Sequence, residues 1–469
     1  MTRHPQIRLG LVLVLAALCL LRAAGAAAQP RQKKPARAAT PSLQKGIEAR
    51  TLKNGMRIVV APDHDVPNVS IYTHYRVGAR NERPGITGIS HFFEHMMFHG
   101  SKEYPSGAFD RIMENAGGSN NAYTSTDVTV YQDWIPRSAL ETVLRMEADR
   151  ICCLQIDSTS VESERGVIAS ERRTTTDDNN EAFLDEQAQA VAFTAHPYQI
   201  PVIGWPSDIE RWTVADLRDY HRTYYAPNNA VMVVSGDVTP AEFFALAERV
   251  LEPIPAQAAP PSVRTIEPPQ LGERRFVVRR PGQIPYIQAV FHRGRANDPD
   301  AEATELLSTI LTGGESSRLY RRLVDEDRVA VAVYDYMLEG FDPGLYRVLV
   351  TVSPEKGIEA CEKALLDELA RVGREGVTEA ELAKAKNVEL ANFWRRMATI
   401  DGKAAMLGDA EVFRGDWSAA FSAPERYGRV TTKEIQALAR RLFDEKNRTI
   451  GLLVPENEPV AATPKGGAR

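Results

Sequence analysis

Residues 91–100, HFFEHMMFHG, place three histidines and one glutamate within ten positions, among phenylalanine and methionine side chains. His91 and His95 stand four residues apart, which on a helix means one face and about 6 Å of rise, the spacing at which two imidazoles can grip one ion. Glu94 comes three residues after His91 and lies beside that pair, where a carboxylate can take a proton from a water polarised by the ion. Zinc suits such a set, because neutral imidazoles and a carboxylate bind it at about 2 Å and leave one position open. A single H-x-x-E-H also occurs in packed core helices, and Phe92, Phe93, Met96, Met97 and Phe98 would supply the core contacts under either reading.

The pair must be presented by a helix. Gly85-Ile-Thr-Gly-Ile-Ser90 leads into His91, so the sequence predicts a helix capped by Ser90 or Thr87. A third ligand has to come from elsewhere in the chain. SVESERGVIASERRTT (160–175) reads as a second helix on which Glu164 and Glu171 are seven residues apart, two turns along one face. Glu171 can complete a His-His-Glu set, and Glu164 can orient a ligand histidine from behind. Taken alone, a solvated acidic face that includes Glu162 is the simpler account of these residues.

Around these helices the chain is ordinary globular material: 469 residues, 43% hydrophobic and 25% charged, enough for two domains of roughly 200 residues each. VSIYTHYRVGARNE (69–82), a strand, a Gly turn and then a helix, is echoed by IQAVFHRGRAND (287–298). Each half also closes on strand material, AVMVVSGDV (230–238) and RTIGLLVP (448–455). Two copies of one α+β domain are predicted. In the second copy, ATELLSTILTGGESS (303–317) has no histidine where the first has three, so only one half is expected to hold a site. Between the copies, residues 254–270 carry five prolines and no apolar periodicity, the composition of a linker that would permit relative domain motion.

At the N-terminus, Arg3 and Arg8 precede an apolar run from Leu9 to Leu21, and Ala26-Ala27-Ala28 offers a small-residue cleavage site. That is the pattern of a secretory signal peptide. The run is too short to anchor in a bilayer about 30 Å thick, so no transmembrane anchor is expected after cleavage. Export to the periplasm is predicted, with the mitochondrial matrix as the alternative because no acid precedes Glu48. Loss of residues 1–28 removes three arginines and no acid and takes the formal charge from −5 to −8, which speaks against a nucleic-acid partner. Cys152, Cys153 and Cys361 then remain, an odd number without C-x-x-C spacing, and read as buried thiols rather than a disulfide framework or a zinc site. The predicted divisions are a signal peptide (1–28), a flexible basic leader (29–44), an N-terminal metal-binding domain (45–253), the linker (254–270), a homologous C-terminal domain without a metal site (271–456) and a tail (457–469).

H-x-x-E-H is the inverted zincin signature. With E-R-x-V-I-x-x-E (Glu164 to Glu171) following, and 75 residues between His95 and Glu171, the sequence resembles the family of pitrilysin, insulinase and mitochondrial processing peptidase. GGSNNAYTSTDVTVYQ (117–132), HPYQIPVIGWPSDIERWT (196–213), YYAPNNAVMVVSGDV (224–238) and LTGGESSRLYRRL (311–323) match that family in order, and the similarity runs from Ile47 to about Val454. The resemblance implies two homologous domains of the processing-peptidase-like metallohydrolase fold, each a mixed sheet covered by helices. It implies His91, His95 and Glu171 as ligands of one Zn2+ per chain, Glu94 as general base and Glu164 behind the ligands. It also implies that Asn121, Ala122, Tyr123 and Thr124 lie on an edge strand to which a substrate peptide adds by backbone hydrogen bonds. His99 falls outside the motif and is read as structural, and His196 as a turn or packing residue as readily as a cleft residue.

The chain also departs from the family pattern. Self-sufficient members carry an Arg and, seven residues later, a Tyr that reach across a chamber to bind the substrate carbonyl. The aligned stretch LVDEDRVAVAVYDY (323–336) has Val324 and Val331 there, and Arg328 and Tyr334 would need a shift of register. The chain is also half the length of the single-chain members. The resemblance therefore implies a zinc endopeptidase acting on extended peptides or small unfolded proteins in a chamber shared with a same-fold partner, which supplies the Arg and Tyr; a homodimer is the alternative arrangement. A non-catalytic assembly subunit and a presequence-processing subunit are the competing functions.

Overall fold

Strand and helix material alternates along the chain in two passes. The computed structural model of the protein describes residues 43–456; the predicted signal peptide, nearly all of the leader and the tail lie outside the described residues. The first pass runs β1 (Glu48–Thr51), β2 (Arg57–Pro62), β3 (Asn68–Tyr75), α1 (Ile89–Met96), α2 (Ala108–Ala116), β4 (Ser119–Thr124), β5 (Thr129–Pro136), α3 (Leu140–Cys153), α4 (Ser158–Arg172), α5 (Asn180–Ala192), α6 (Pro206–Ile209), α7 (Val214–Tyr224), β6 (Ala230–Gly236) and α8 (Pro240–Val250). The second runs β7 (Arg274–Arg280), β8 (Tyr286–His292), α9 (Ala301–Thr312), α10 (Arg318–Tyr320), β9 (Ala330–Met337), β10 (Leu345–Val352), α11 (Ile358–Glu375), α12 (Glu379–Met397), α13 (Ile400–Arg414), α14 (Ala423–Arg429), α15 (Thr432–Leu442) and β11 (Arg448–Pro455). Residues 255–271 form neither helix nor strand.

The repeat seen in the sequence is a repeat of topology. One sheet has the order β1-β2-β6-β3-β5-β4 and the other β7-β11-β8-β10-β9. Without β1 the two orders correspond strand for strand. Each has one parallel pair at the same place, β2 with β6 and β7 with β11, and is antiparallel elsewhere. The fold is α+β with two mixed sheets, as predicted.

The central strands of each sheet are buried on both faces. β6 (AVMVVSG) is buried at every position and β11 at all but its first, the continuous apolar pattern of strands that face helices on both sides. On one face the helices come from the same half: α1, α3, α7 and α8 pack on the first sheet, and α9, α11 and α15 on the second. On the other face the halves exchange helices. α13, from the second half, lays Ala404, Leu407 and Ala410 against Val59, Tyr72, Val231 and Val233 of the first sheet. α5, from the first half, lays Leu184 and Ala188 against Val290, Leu345, Leu349 and Leu453 of the second. The interlocking opposes the relative motion that the composition of the linker permits, since moving one half against the other would pull an apolar helix face off a sheet. Each leucine so exposed costs about 1.5–3 kcal/mol.

One cysteine expectation also changes. Cys152 and Cys153, in the last turn of α3, are joined to each other by a disulfide, and Cys152 is exposed. Both cysteines lie in the last turn of the helix, which stops at Cys153, with Leu154 at φ −56° and ψ 135°. Cys361 is the buried thiol expected, and burial pushes it up to about 12.

Candidate metal centre

α1 starts at Gly88, whose φ of 84° is left-handed and whose missing Cβ avoids the Ile203 carbonyl. The predicted Ser90 or Thr87 cap is not what satisfies its first amides. The Glu82 carboxylate accepts from Gly88 N at 2.7 Å and from Ser90 N at 2.8 Å. The Ser90 hydroxyl instead pairs with Tyr220, and that of Thr87 donates to Asp208. The N-cap residue is a glycine and has no side chain to offer, and the Glu82 carboxylate, six residues upstream, takes that place. Phe92, Phe93 and Met96 point into the core, where Tyr131 also donates to the Phe93 carbonyl at 2.8 Å.

The opposite face of α1 carries the histidines. The rings of His91 and His95 have centroids 4.9 Å apart. Glu171, at the end of α4, brings its two carboxylate oxygens to 3.6 Å from His91 Nε2 and 3.4 Å from His95 Nε2. One donor atom from each of His91, His95 and Glu171 lies within 4.8 Å of the other two. Behind them, His95 Nδ1 donates to Glu164 Oε1 at 2.7 Å, which turns Nε2 toward Glu171.

The charge states fit a cation between these groups. Burial pushes His91 down to about 4, so its ring is neutral. For His95, burial is outweighed by the bonds to Glu164 and Glu171, which hold it up at about 9. A metal ion would take the place of the proton held between His95 and Glu171. Two imidazoles and a carboxylate are a zinc donor set. Among the described residues, the other cluster of three such side chains is Asp149, Cys152 and Cys153, whose sulfurs are taken up by the disulfide, and neither group lies in the second half.

Glu94 and β4 meet at this centre. The Thr124 hydroxyl donates to Glu94 Oε2 at 2.7 Å. Burial raises the Glu94 carboxyl above its usual range, partly offset by that bond. β4 is the outermost strand of its sheet, so Asn121, Ala122, Tyr123 and Thr124 lie on a free edge, and exposure alternates along it. A cavity of about 430 Å³ opens between this edge and α1, lined by Glu94, His95, Phe98, His99, Asp110 and Asn120.

Residues that sequence reasoning passed over hold the centre in place. Arg172, next to Glu171 and only 4% exposed, donates to both oxygens of Glu186 at 2.8 and 3.0 Å and to the Gly204 carbonyl, which pins the end of α4. Neither Arg172 nor Glu82 belongs to a spacing motif, so nothing local in the sequence marks them. His196 is buried and caps a turn, accepting from Tyr198 N. Val324 packs partly buried against the second core, whereas Val331 stands 61% exposed on the edge strand β9. Arg328 occupies a left-handed turn with φ 52°.

Comparison with known proteins agrees with this architecture. Residues 57–205 match the profile of insulinase, peptidase family M16, and residues 211–389 match that of the peptidase M16 inactive domain. The chain belongs to the insulinase family, peptidase family M16. The zinc protease PqqE of Helicobacter pylori is 29% identical over 412 residues, 87% of this chain and 93% of that protein. An uncharacterized zinc protease of Mycobacterium leprae is 27% identical over 420 residues, 88% of this chain and 92% of that one. Among solved structures, a protease from Helicobacter pylori has a TM-score of 0.84 at 29% identity, covering 87% of this chain and 99% of that one. The periplasmic protease PqqL of Escherichia coli shares the fold with a TM-score of 0.73 at 20% identity; 92% of this chain corresponds to 52% of that longer one. Among the described residues, no helix is long and apolar enough to cross a membrane.

Proposed function

We propose that the protein is an exported zinc endopeptidase that cleaves extended peptides or small unfolded proteins. The observation that carries this reading is the convergence of His91, His95 and Glu171 within 4.8 Å, with Glu94 tied to the free edge β4 beside them. When bound, zinc supplies a Lewis acid that polarises the scissile carbonyl and makes water a stronger acid at neutral pH. His91, His95 and Glu171 hold it, and Glu164 fixes the His95 ring. The β4 edge takes the substrate as an added strand, so recognition runs through backbone hydrogen bonds and favours extended chains over particular side chains. Glu94 accepts the proton of the attacking water on a carboxylate oxygen and passes it to the leaving amine. Its burial, which raises its proton affinity, suits both steps.

The chamber is proposed to need a second subunit of the same fold. Val324 and Val331 stand where self-sufficient members of the family carry the Arg and Tyr that bind the carbonyl. A homodimer that rebuilds carbonyl binding from its own residues is the second arrangement. Export rests on the N-terminal pattern from Arg3 to Ala28.

The test is a Glu94→Gln variant assayed with a quenched fluorescent peptide library, alone and mixed with a same-fold subunit from the same organism. Zinc content should stay at one per chain while turnover disappears. Turnover retained by Glu94→Gln would remove Glu94 from the mechanism. Full activity of the unmixed wild-type chain would remove the obligate partner.

A further inference from the structure

Glu164 sits between two histidines, not one. Its Oε1 accepts from His95 Nδ1 at 2.7 Å, and its Oε2 accepts from His99 Nε2. His99 continues the four-residue spacing of His91 and His95 but lies just past α1, on a turn fixed by hydrogen bonds from Phe98 N to the His95 carbonyl and from His99 N to the Met96 carbonyl. Its side chain is 30% exposed and lines the cavity beside Glu94, so core filling does not account for it. A carboxylate bonded through one oxygen can still rotate about its terminal bond, which for glutamate is a broad torsion. Bonded through both oxygens, to two rings carried by one continuous stretch of backbone, it cannot.

We propose that His99 is a positioning residue of the metal centre: by holding Oε2 of Glu164 it fixes the plane in which Oε1 receives His95 Nδ1, and so keeps His95 Nε2 turned toward Glu171 and the ion. This rests on the zinc reading given above. Groups behind a metal ligand usually contribute about 10–100-fold to metal affinity or activity, and the contribution of His99 must pass through Glu164 to reach the ion. The two residues therefore act as one unit, and their substitutions are not additive.

The experiment uses the full chain in four variants, His99→Ala, His99→Gln, Glu164→Gln and the double His99→Ala/Glu164→Gln, each mixed with the same-fold subunit from the same organism where hydrolysis is read. Zinc affinity is measured by competition with a chromogenic chelator, and peptide hydrolysis is resolved into kcat and KM. His99→Ala should weaken zinc binding about tenfold and lower kcat with KM little changed. His99→Gln, whose amide N–H can reach the same oxygen, should recover most of the loss. Adding His99→Ala to Glu164→Gln should change neither quantity further. Wild-type zinc affinity in His99→Ala, or a loss of the same size in the Glu164→Gln background, would overturn the positioning role while leaving the peptidase reading intact. A wild-type chain that takes up no zinc would overturn both.

Discussion

The hydroxyl of Thr124 lies 2.7 Å from Oε2 of Glu94, so one hydrogen bond joins the free edge of the first sheet to the helix that carries the histidines. The strand and the carboxylate are placed by the same contact. A Thr124→Val change keeps the shape and β-propensity of the residue and removes the donor. Catalytic efficiency on a quenched peptide should fall about tenfold, the order expected for a lost hydrogen bond to a charged group, and Thr124→Ser should restore it. Equal efficiencies for Thr124→Val and wild type would show that Glu94 needs no anchor on β4.

Metal should stabilise the fold, because its candidate site is assembled from α1 and α4, which are distant in sequence. A ligand present at 100 times its dissociation constant adds about 2.7 kcal/mol. Chelation should therefore lower the melting temperature and added zinc restore it, while a His95→Ala protein should respond to neither. Identical melting curves for wild type with and without chelator would leave the site without a metal.

Gly408 of α13 lies directly against the imidazole of His74 on β3, so that a Cβ at position 408 would overlap the ring. His74 is fully buried and held by the sheet, which leaves the helix to move. Gly408→Ala should destabilise the protein by about 1–3 kcal/mol, the usual cost of overpacking, read as a lower urea midpoint. A gain in stability, as helix propensity alone would give, would show that this contact is looser than the geometry indicates.

The acid limb of stability should depend on Arg318 and Glu381. Arg318 donates to both Glu381 oxygens, at 2.6 and 2.8 Å, and holds that carboxyl down at about 2, against an ordinary value of 4.5. A depressed folded-state value means that the unfolded chain takes up the proton first. The stabilisation is complete above the unfolded value and is lost as pH falls through 4.5 toward 2. Glu381→Gln should be less stable than wild type at pH 7, with the gap closing toward pH 2. A gap that does not change with pH would place the effect in packing instead of charge.

The parts of this site that repeat at helical spacing were legible in the sequence. His91, Glu94 and His95 share a helix face by arithmetic alone, and Glu164 and Glu171 share another. Their meeting depends on contacts that no spacing encodes: the buried Arg172–Glu186 pair, and the Glu82 carboxylate that replaces the expected Ser90 or Thr87 cap. The topological repeat was also legible, because strand and turn order survive in both halves. The helix exchange was not. α5 and α13 present small residues to the foreign sheets, Ala188 and Ala192 in one and Ala404 and Gly408 in the other. Such faces lack the strong apolar stripe from which a packing partner is usually inferred.

That exchange gives the half without the candidate metal centre a definite task. The outer wall of the first sheet is α13, which is made more than 160 residues after the last strand of that sheet, while the first half repays the second with α5. The connector between them is pinned as well, since Glu267 accepts from the backbone amides of Thr194, Ala195 and His196. A protease nick within residues 255–266 would therefore yield two fragments that stay clasped, whereas either fragment synthesised alone would be born with one side of its sheet bare. The half without the candidate centre is in this sense the shell of the half that holds it, and neither is a module that can be borrowed on its own.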